Sequence, residues 1–342
     1  MPRVAPQTRV CAVVLAWGDE PVLVECVESV LASTGIDVDV VLVDNGCTSD
    51  AVTRLRGRKG VTVIEPGENL GFAPGCNLGA RHTNAEILAF VNGDATVHPD
   101  ALALLAAVAL RDEVGLATGS VRLYDDPDTI NTVGNPVHYT GLSWAGGLGD
   151  PASRHREERD VASASGAATV VRRDRFEALG GFCEPMFAYC EDTELSLRSW
   201  QRGWRVVFVP DAVVLHRYEF SRNPVKFYLL ERNRLFLLLT VFPTRQLLAT
   251  LPILLGFELG VVALAARDGW LRQKVAGWWW LLRNRRVVAA RRKEVRAAVV
   301  VPDAAIAARL TGDLDPGVEG LSAPAPARVL ARAYWAAARR AV

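Results

Sequence analysis

Residues 10–16 form an unbroken apolar run, residues 38–43 are apolar apart from Asp39, and residues 87–91 form a second unbroken run. Continuous runs without polar alternation predict strands buried on both faces of a parallel sheet. Between the first two, Asp19 and Pro21 open a helix whose Leu23, Val27, Val30 and Leu31 fall at i, i+4, i+7 and i+8, and Gly35 ends it. A short helix after Ser49, a strand over 61–64, and helices over 74–82 and 99–110 continue the alternation. The prediction is an α/β fold with a mostly parallel, doubly wound sheet covered on both sides.

From 124 to 160 the pattern breaks into Gly, Pro, Asp, Asn and Arg with Tyr139 and Trp144 among them, which predicts loops and short hairpins over one face of the sheet. Order returns with a strand over 167–172, a short helix after Asp174, and a helix over 191–202 closed by Gly203. A strand over 204–209 is expected to stop at Pro210. The α/β domain is expected to end near 218–223, giving a domain over 1–223.

A different material follows, over 224–300. Residues 227–242 read as an apolar helix interrupted by Glu231, Arg232 and Arg234, and residues 247–266 carry Glu258 as their only charge, long enough to cross a hydrocarbon core. Pro252, Gly256 and Gly260 argue against a straight spanning helix. Trp278, Trp279 and Trp280 then stand beside Arg283, Arg285, Arg286, Arg291, Arg292, Lys293 and Arg296, the composition of a helix lying on an anionic membrane surface. A buried helical hairpin or a dimer face is the alternative. Residues 301–342 are expected to hold a linker over 311–326 and a short Ala/Arg helix.

Composition narrows the class. With 39 basic against 38 acidic residues and 50% hydrophobic residues in 342, the chain is neither a disordered tail nor a basic nucleic-acid binder. Its mean hydropathy of +0.14 is high, and the apolar excess lies toward the C-terminus. Six cysteines without a C-x-x-C pair suit a reducing compartment, and the first apolar run is too short and too β-like for a signal peptide.

Ligands of such sheets bind beyond the carboxyl ends of the strands. Asp44-Asn45-Gly46 follows one strand; Asp44 suits a nucleobase or ribose hydroxyl, or simply caps a turn. Residues 68–79 (ENLGFAPGCNLG) form a glycine-bearing loop entering a helix, able to offer N–H groups to phosphate. Asn92-Gly93-Asp94 ends another strand and suits a hard divalent cation, or forms an Asx turn. Glu191 and Asp192 open a helix, which makes Asp192 a candidate general base with Glu191 as its competitor. Glu194 and Arg198 are spaced as a helix-surface pair, and His216 is either a structural histidine or a neutral ligand for the same cation.

Together, VDNGCTSD, ENLGFAPGCNLGA, FVNGDATVHPDAL, SGAATVVRR, GGFCEPMFAYCEDTELSLR, GWRVVFVPDAVVLH and FYLLERNRL, in this order over about residues 10–233, resemble the family 2 inverting glycosyltransferases of GT-A fold. The stretch from VRLYDDPDTINTVG through ERNRL is most similar to bacterial rhamnosyltransferase-type members that build cell-wall or surface polysaccharide. The resemblance implies nucleotide-sugar contacts at Ala16, Trp17, Asp44, Asn69, Gly71, Asn77, Asn92, Gly93 and Asp94, a Mg²⁺ or Mn²⁺ at Asp94 and His216, and Asp192 as catalytic base. It further implies Trp144, Gly166 and Glu191 on the acceptor side. The expected partners are a nucleotide-diphosphate sugar such as dTDP-rhamnose, a glycan or polyprenyl-linked glycan acceptor and the inner face of the cell membrane; nucleic acid is not among them, and a homo-oligomer is left open by the sequence.

Two positions depart from the family pattern. Asn92 replaces the first acid of D-x-D, and Cys183 replaces the Asp of GGFDE. They leave open a degenerate member that binds a nucleotide sugar or scaffolds an assembly complex. A sugar-phosphate nucleotidyltransferase would need a Gly-rich basic loop after the first strand, which Leu15-Ala16-Trp17-Gly18-Asp19 lacks.

Overall fold

The computed structural model describes residues 8–217, 223–314 and 325–342. The expected domain end at 218–223 and most of the expected linker over 311–326 lie outside them. The chain divides into two compact units, the first holding residues 8–135, 145–199 and 204–217, the second the remaining described residues.

In the first unit, β1 (Arg9–Gly18), α1 (Leu23–Leu31), β2 (Asp37–Cys47), α2 (Ala51–Leu55), β3 (Val61–Ile64), α3 (Phe72–Arg81) and β4 (Ile87–Val91) follow the expected alternation. Then come β5 (Ala95–Val97), α4 (Ala101–Ala109), β6 (Val114–Leu123), β7 (Ile130–Thr132), β8 (Arg159–Asp160), β9 (Ala168–Arg172), α5 (Arg173–Ala178), α6 (Glu191–Gln201) and β10 (Arg205–His216). The sheet order is β3-β2-β1-β4-β9-β6-β10-β5, with β7 beside β6 and β8 beside β10.

The parallel half expected from the sequence runs from β3 to β4. Beyond it the sheet is mixed, because β9 lies antiparallel between β4 and β6. A central antiparallel strand is buried on both faces just as a parallel one is, so its Ala-Thr-Val-Val run does not reveal direction. Both β5 and β6 are additions to the expected elements. Pro210 does not end β10 either: the strand shifts register between Val209 and Val213 and runs on to His216. A proline inside a strand is accommodated at such an irregularity.

Packing around β1 explains the glycines of α3. A Cβ on Gly75 would come 2.3 Å from Leu15, and one on Gly79 would come 2.4 Å from Val13. These glycines allow close helix–sheet contact.

The second unit is helical: α7 (Pro224–Val241), α8 (Thr244–Arg267), α9 (Leu271–Arg283), α10 (Arg285–Ala297), α11 (Asp303–Ala307) and α12 (Ala325–Ala338). Asn223 caps α7 by accepting from the Lys226 N–H at 2.8 Å. α8 is continuous through Pro252. Inside the unit, Glu231 accepts from Arg234 at 3.0 Å and from Lys274 at 2.6 Å, Lys274 also reaches Glu258 at 2.9 Å, and Arg234 bonds Glu258 as well. Burial opposes charge on Glu231, but Arg234 and Lys274 outweigh it and hold the carboxyl at about 2.

Candidate active site

The carboxyl ends of β1 and β2 meet where Ala16 pairs with Asp44. Asp44 Oδ1 accepts the N–H groups of Gly46 at 3.2 Å and Cys47 at 2.9 Å, so one of its oxygens shapes the turn. Trp17 is 64% exposed, and a Cβ on Gly46 would contact both Trp17 and Asn69. Ala16, Trp17, Asp44 and Asn69 therefore share one rim.

Asn45, which the sequence did not single out, holds that rim together. Its amide donates to Asn69 Oδ1 and to the Gly71 carbonyl, each at 3.1 Å, while its Oδ1 accepts the Leu70 N–H at 2.8 Å. Gly71 sits at φ +85° with the Phe187 ring and carbonyl where a Cβ would be, so its freedom serves packing. The buried amide of Asn77 spans the Phe182 N–H and C=O and Glu184.

The Asn92-Gly93-Asp94 turn lies between β4 and β5. The Asn92 carbonyl accepts from Ala95 N–H at 3.1 Å and from the Cys26 thiol at 3.3 Å, and a Cβ on Gly93 would meet the Leu15 carbonyl at 2.8 Å. His216, the last residue of β10, pairs with Ala95 and brings Nε2 to 3.1 Å from Asp94 Oδ1. Its Nδ1 is 2.9 Å from Asn131 Oδ1, on β7. With Nδ1–H donating to Asn131, the Nε2 lone pair faces the carboxylate, an opposition relieved by a proton or by a shared cation. Two ligands about 2.1 Å from one octahedral ion at right angles are about 3 Å apart, close to the spacing here. The donor set fits a hard divalent cation with most positions left for other oxygens. Among the described residues no group of three or more His, Cys, Asp or Glu is clustered for a metal.

Asp192 lies in the first turn of α6. Its Oδ2 accepts the Gly166 N–H at 3.0 Å and its Oδ1 the Thr193 N–H at 2.6 Å. Burial raises its pKa, and these donors partly offset that rise. Glu191 is driven well above the ordinary range, first by burial and then by the Asp192 charge, and its Oε2 is buried without a hydrogen bond among the described residues. Of the two carboxyls, Asp192 is the one equipped to carry a negative charge.

The backbone leading into this helix is strained. Phe187, Tyr189 and Cys190 all have positive φ, between 65° and 71°, a conformation costing non-glycine residues about 1–3 kcal/mol each. Phe187 also accepts the Ala73 N–H of α3 at 3.0 Å, joining this segment to the loop that Asn45 holds.

Gly166 links the two halves of the site. Asn92 N–H donates to the Ala167 carbonyl at 3.1 Å, next to the Gly166 N–H that holds Asp192. By the dimensions of the chain, the Asp192 carboxylate is within about 12 Å of the Asn92 backbone. Trp144 belongs to the second unit. Cys183 is buried, 2% exposed. A cleft of about 420 Å³ lined by Arg9, Cys11, Asp39, His82 and Asn84 lies at the opposite, amino ends of the strands and holds none of these residues.

The model of the glycosyltransferase like family 2 matches residues 6–235. The chain belongs to this family. It is 29% identical over 241 residues to N-acetylglucosaminyl-diphospho-decaprenol L-rhamnosyltransferase of Mycobacterium tuberculosis, covering 62% of this chain and 78% of that protein. It is 33% identical over 155 residues to the O-antigen biosynthesis protein RfbC of Myxococcus xanthus, covering 43% of this chain but only 12% of that longer protein. Among solved structures, mannosyltransferase PcManGT of Pyrobaculum calidifontis with GDP-Man and Mn²⁺ aligns at TM-score 0.51 and 19% identity over 98% of this chain and 88% of its own. GalNAc-T7 with UDP, GalNAc and Mn²⁺ aligns at TM-score 0.54 and 16% identity over 68% of this chain and 47% of its own. The fold of this glycosyltransferase is GT-A.

Two residues that matter to the glycosyltransferase site escaped the sequence. Asn45 was visible only as a turn former, and Asn131 only as part of the TINTVG stretch; neither spacing nor periodicity shows what an amide will bond.

Proposed function

We propose that this protein is an inverting glycosyltransferase that moves a sugar from a nucleotide-diphosphate donor to a glycan carried on a membrane lipid. The observation that carries the reading is the Gly166–Ala167 backbone, which bonds Asp192 on one side and the Asn92-Gly93-Asp94 turn on the other. A base and a diphosphate-side cluster on one rim suit a single displacement at an anomeric carbon between them.

In this mechanism the nucleoside lies over Ala16 and Trp17 with Asp44 as polar partner, in a loop fixed by Asn45 and Asn69. Asp94 and His216 would hold Mg²⁺ or Mn²⁺, which when bound neutralises charge on the departing diphosphate. Asp192 takes the proton from the acceptor hydroxyl as its oxygen bonds to the anomeric carbon, and the bond to the nucleoside diphosphate breaks. General-base assistance of this kind contributes about 10²–10⁴ in rate. Burial and the Asp192 charge favour the protonated form of Glu191, which keeps a second charge out of the pocket. The mycobacterial relative's name supports a rhamnosyl donor and a polyprenyl-diphosphate acceptor; we take dTDP-rhamnose as the donor and the cytoplasmic face of the membrane as the place of use. Incubation of the full chain with candidate nucleotide sugars and a lipid-diphosphate sugar acceptor, read by mass and by the anomeric configuration of the product, tests the reading. A product of retained configuration overturns it.

A further inference from the structure

The second unit shows how such an enzyme would meet a membrane. On α8, Leu248, Leu251, Leu255 and Leu259 are 66%, 45%, 58% and 72% exposed, and their spacing sets them on one face along the helix. The most apolar window of α8 has a mean hydropathy of 2.2, with only 17% of it buried, unlike the core helix of a soluble protein. At 1.5 Å per residue its 24 residues extend about 36 Å, long enough to span a bilayer.

The rest of its circumference is unsuited to spanning. Gln246 and Thr250 are buried on the side opposite the leucines, Tyr334 of α12 donates to the Ala249 carbonyl at 2.6 Å, and Glu258, at the edge of the leucine face, is tied to Lys274 and Arg234. Lipid cannot surround a helix whose polar side is already packed against protein. The next helix repeats the arrangement. Val275, Trp279 and Leu282 are exposed on α9, flanked by exposed Arg272 and Arg283, with the Arg283 guanidinium 5.3 Å from the Trp279 ring. By contrast, Trp280 packs on Phe236, and Arg292 is bonded to the carbonyls of Leu239 and Phe242. The membrane-facing part of the Trp/Arg stretch is thus smaller than its composition suggests.

We propose that this unit is a monotopic anchor: the leucine face of α8 and the Val275–Trp279–Leu282 face of α9 enter one leaflet, and Arg272 and Arg283 meet anionic headgroups. An apolar face bordered by cations matches such a surface in both polarity and charge. The inference specifies the membrane contact of the proposed function and does not depend on the roles given to Asp192 or the cation.

The test uses full-length protein with phosphatidylcholine vesicles, with and without phosphatidylglycerol, and the variants Leu255→Gln/Leu259→Gln, Arg272→Gln/Arg283→Gln and Trp279→Phe. Binding should favour the anionic vesicles and fall more than about tenfold in the leucine variant. The arginine variant should lose the preference for anionic lipid, and quenching of tryptophan emission by brominated acyl chains should fall in Trp279→Phe. Bound protein should exchange between vesicles. Unchanged binding of the leucine variant overturns the proposal, as does failure to exchange, which marks a spanning helix. A dimer split by the leucine substitutions with vesicle binding intact also overturns it. Transfer to a water-soluble acceptor analogue, measured without vesicles, separates the two claims: its absence in every variant, with vesicle binding still following the leucines, sinks the catalytic reading and leaves the anchor standing.

Discussion

Gly166 donates its backbone N–H to Asp192 Oδ2 at 3.0 Å, while the next residue's carbonyl accepts from Asn92. The candidate base and the candidate diphosphate site are therefore fixed to the same two residues at the entry to β9. A side-chain or backbone shift there moves both.

Asn45 predicts a separation of binding from chemistry. Asn45→Ala removes three hydrogen bonds to residues 69–71 and leaves buried groups unpaired, a loss of about 1–3 kcal/mol for such a group. Donor KM should rise by about tenfold or more with kcat changed much less. Steady-state kinetics at saturating acceptor checks it; an equal fall in kcat with KM unchanged contradicts a donor-loop role.

Asp94 and His216 should act as one unit. Asp94→Asn or His216→Ala should abolish the Mn²⁺-dependent part of nucleoside-diphosphate binding measured by calorimetry. Asn131→Ala, which removes the partner of His216 Nδ1, should weaken it by about tenfold. Nucleotide binding and turnover indifferent to chelator in the native protein would remove the cation from the account.

Glu191 predicts a pH dependence of stability. Its pKa in the folded protein lies well above 4.5 because of burial and the neighbouring Asp192 charge, so the native state holds one more proton than the unfolded chain over that interval. The associated stability is fully present below about pH 4.5 and is lost, by about 1.4 kcal/mol per pH unit, as pH rises toward the folded value. Glu191→Gln should flatten this decline in a thermal melt series. A parallel decline in the variant would assign the effect to other groups.

The parts of the fold that were legible are those where burial is written as unbroken apolar sequence, as in β1 and β4, or as a run broken by one acid, as over 38–43 in β2. Strand β6 was not, because Gly115, Thr118, Gly119 and Ser120 interrupt it. Their smallness is required by packing: a Cβ on Gly115 would overlap Ser199, one on Gly119 would come 2.3 Å from the Ala212 carbonyl, and Thr118 bonds the Ala168 carbonyl at 3.0 Å. The direction of β9 was hidden for a different reason, since two-sided burial is the same for either orientation. In the site, Asp44, Asp94, Asp192 and His216 could be picked out by residue type at strand and helix ends. What their neighbours do could not: whether an amide such as Asn77 serves a ligand or a loop depends on residues more than a hundred positions away.

The role of Asp192 is the claim on which the mechanism rests, and Asp192→Asn tests it most directly. Single-turnover transfer should fall by about 10²–10⁴ while the affinity for nucleotide sugar with Mn²⁺ stays near that of the native protein. The native rate should rise with pH through an apparent pKa above the ordinary 3.8 of an aspartate. Transfer by Asp192→Asn at the native rate, with donor binding intact, would contradict the account.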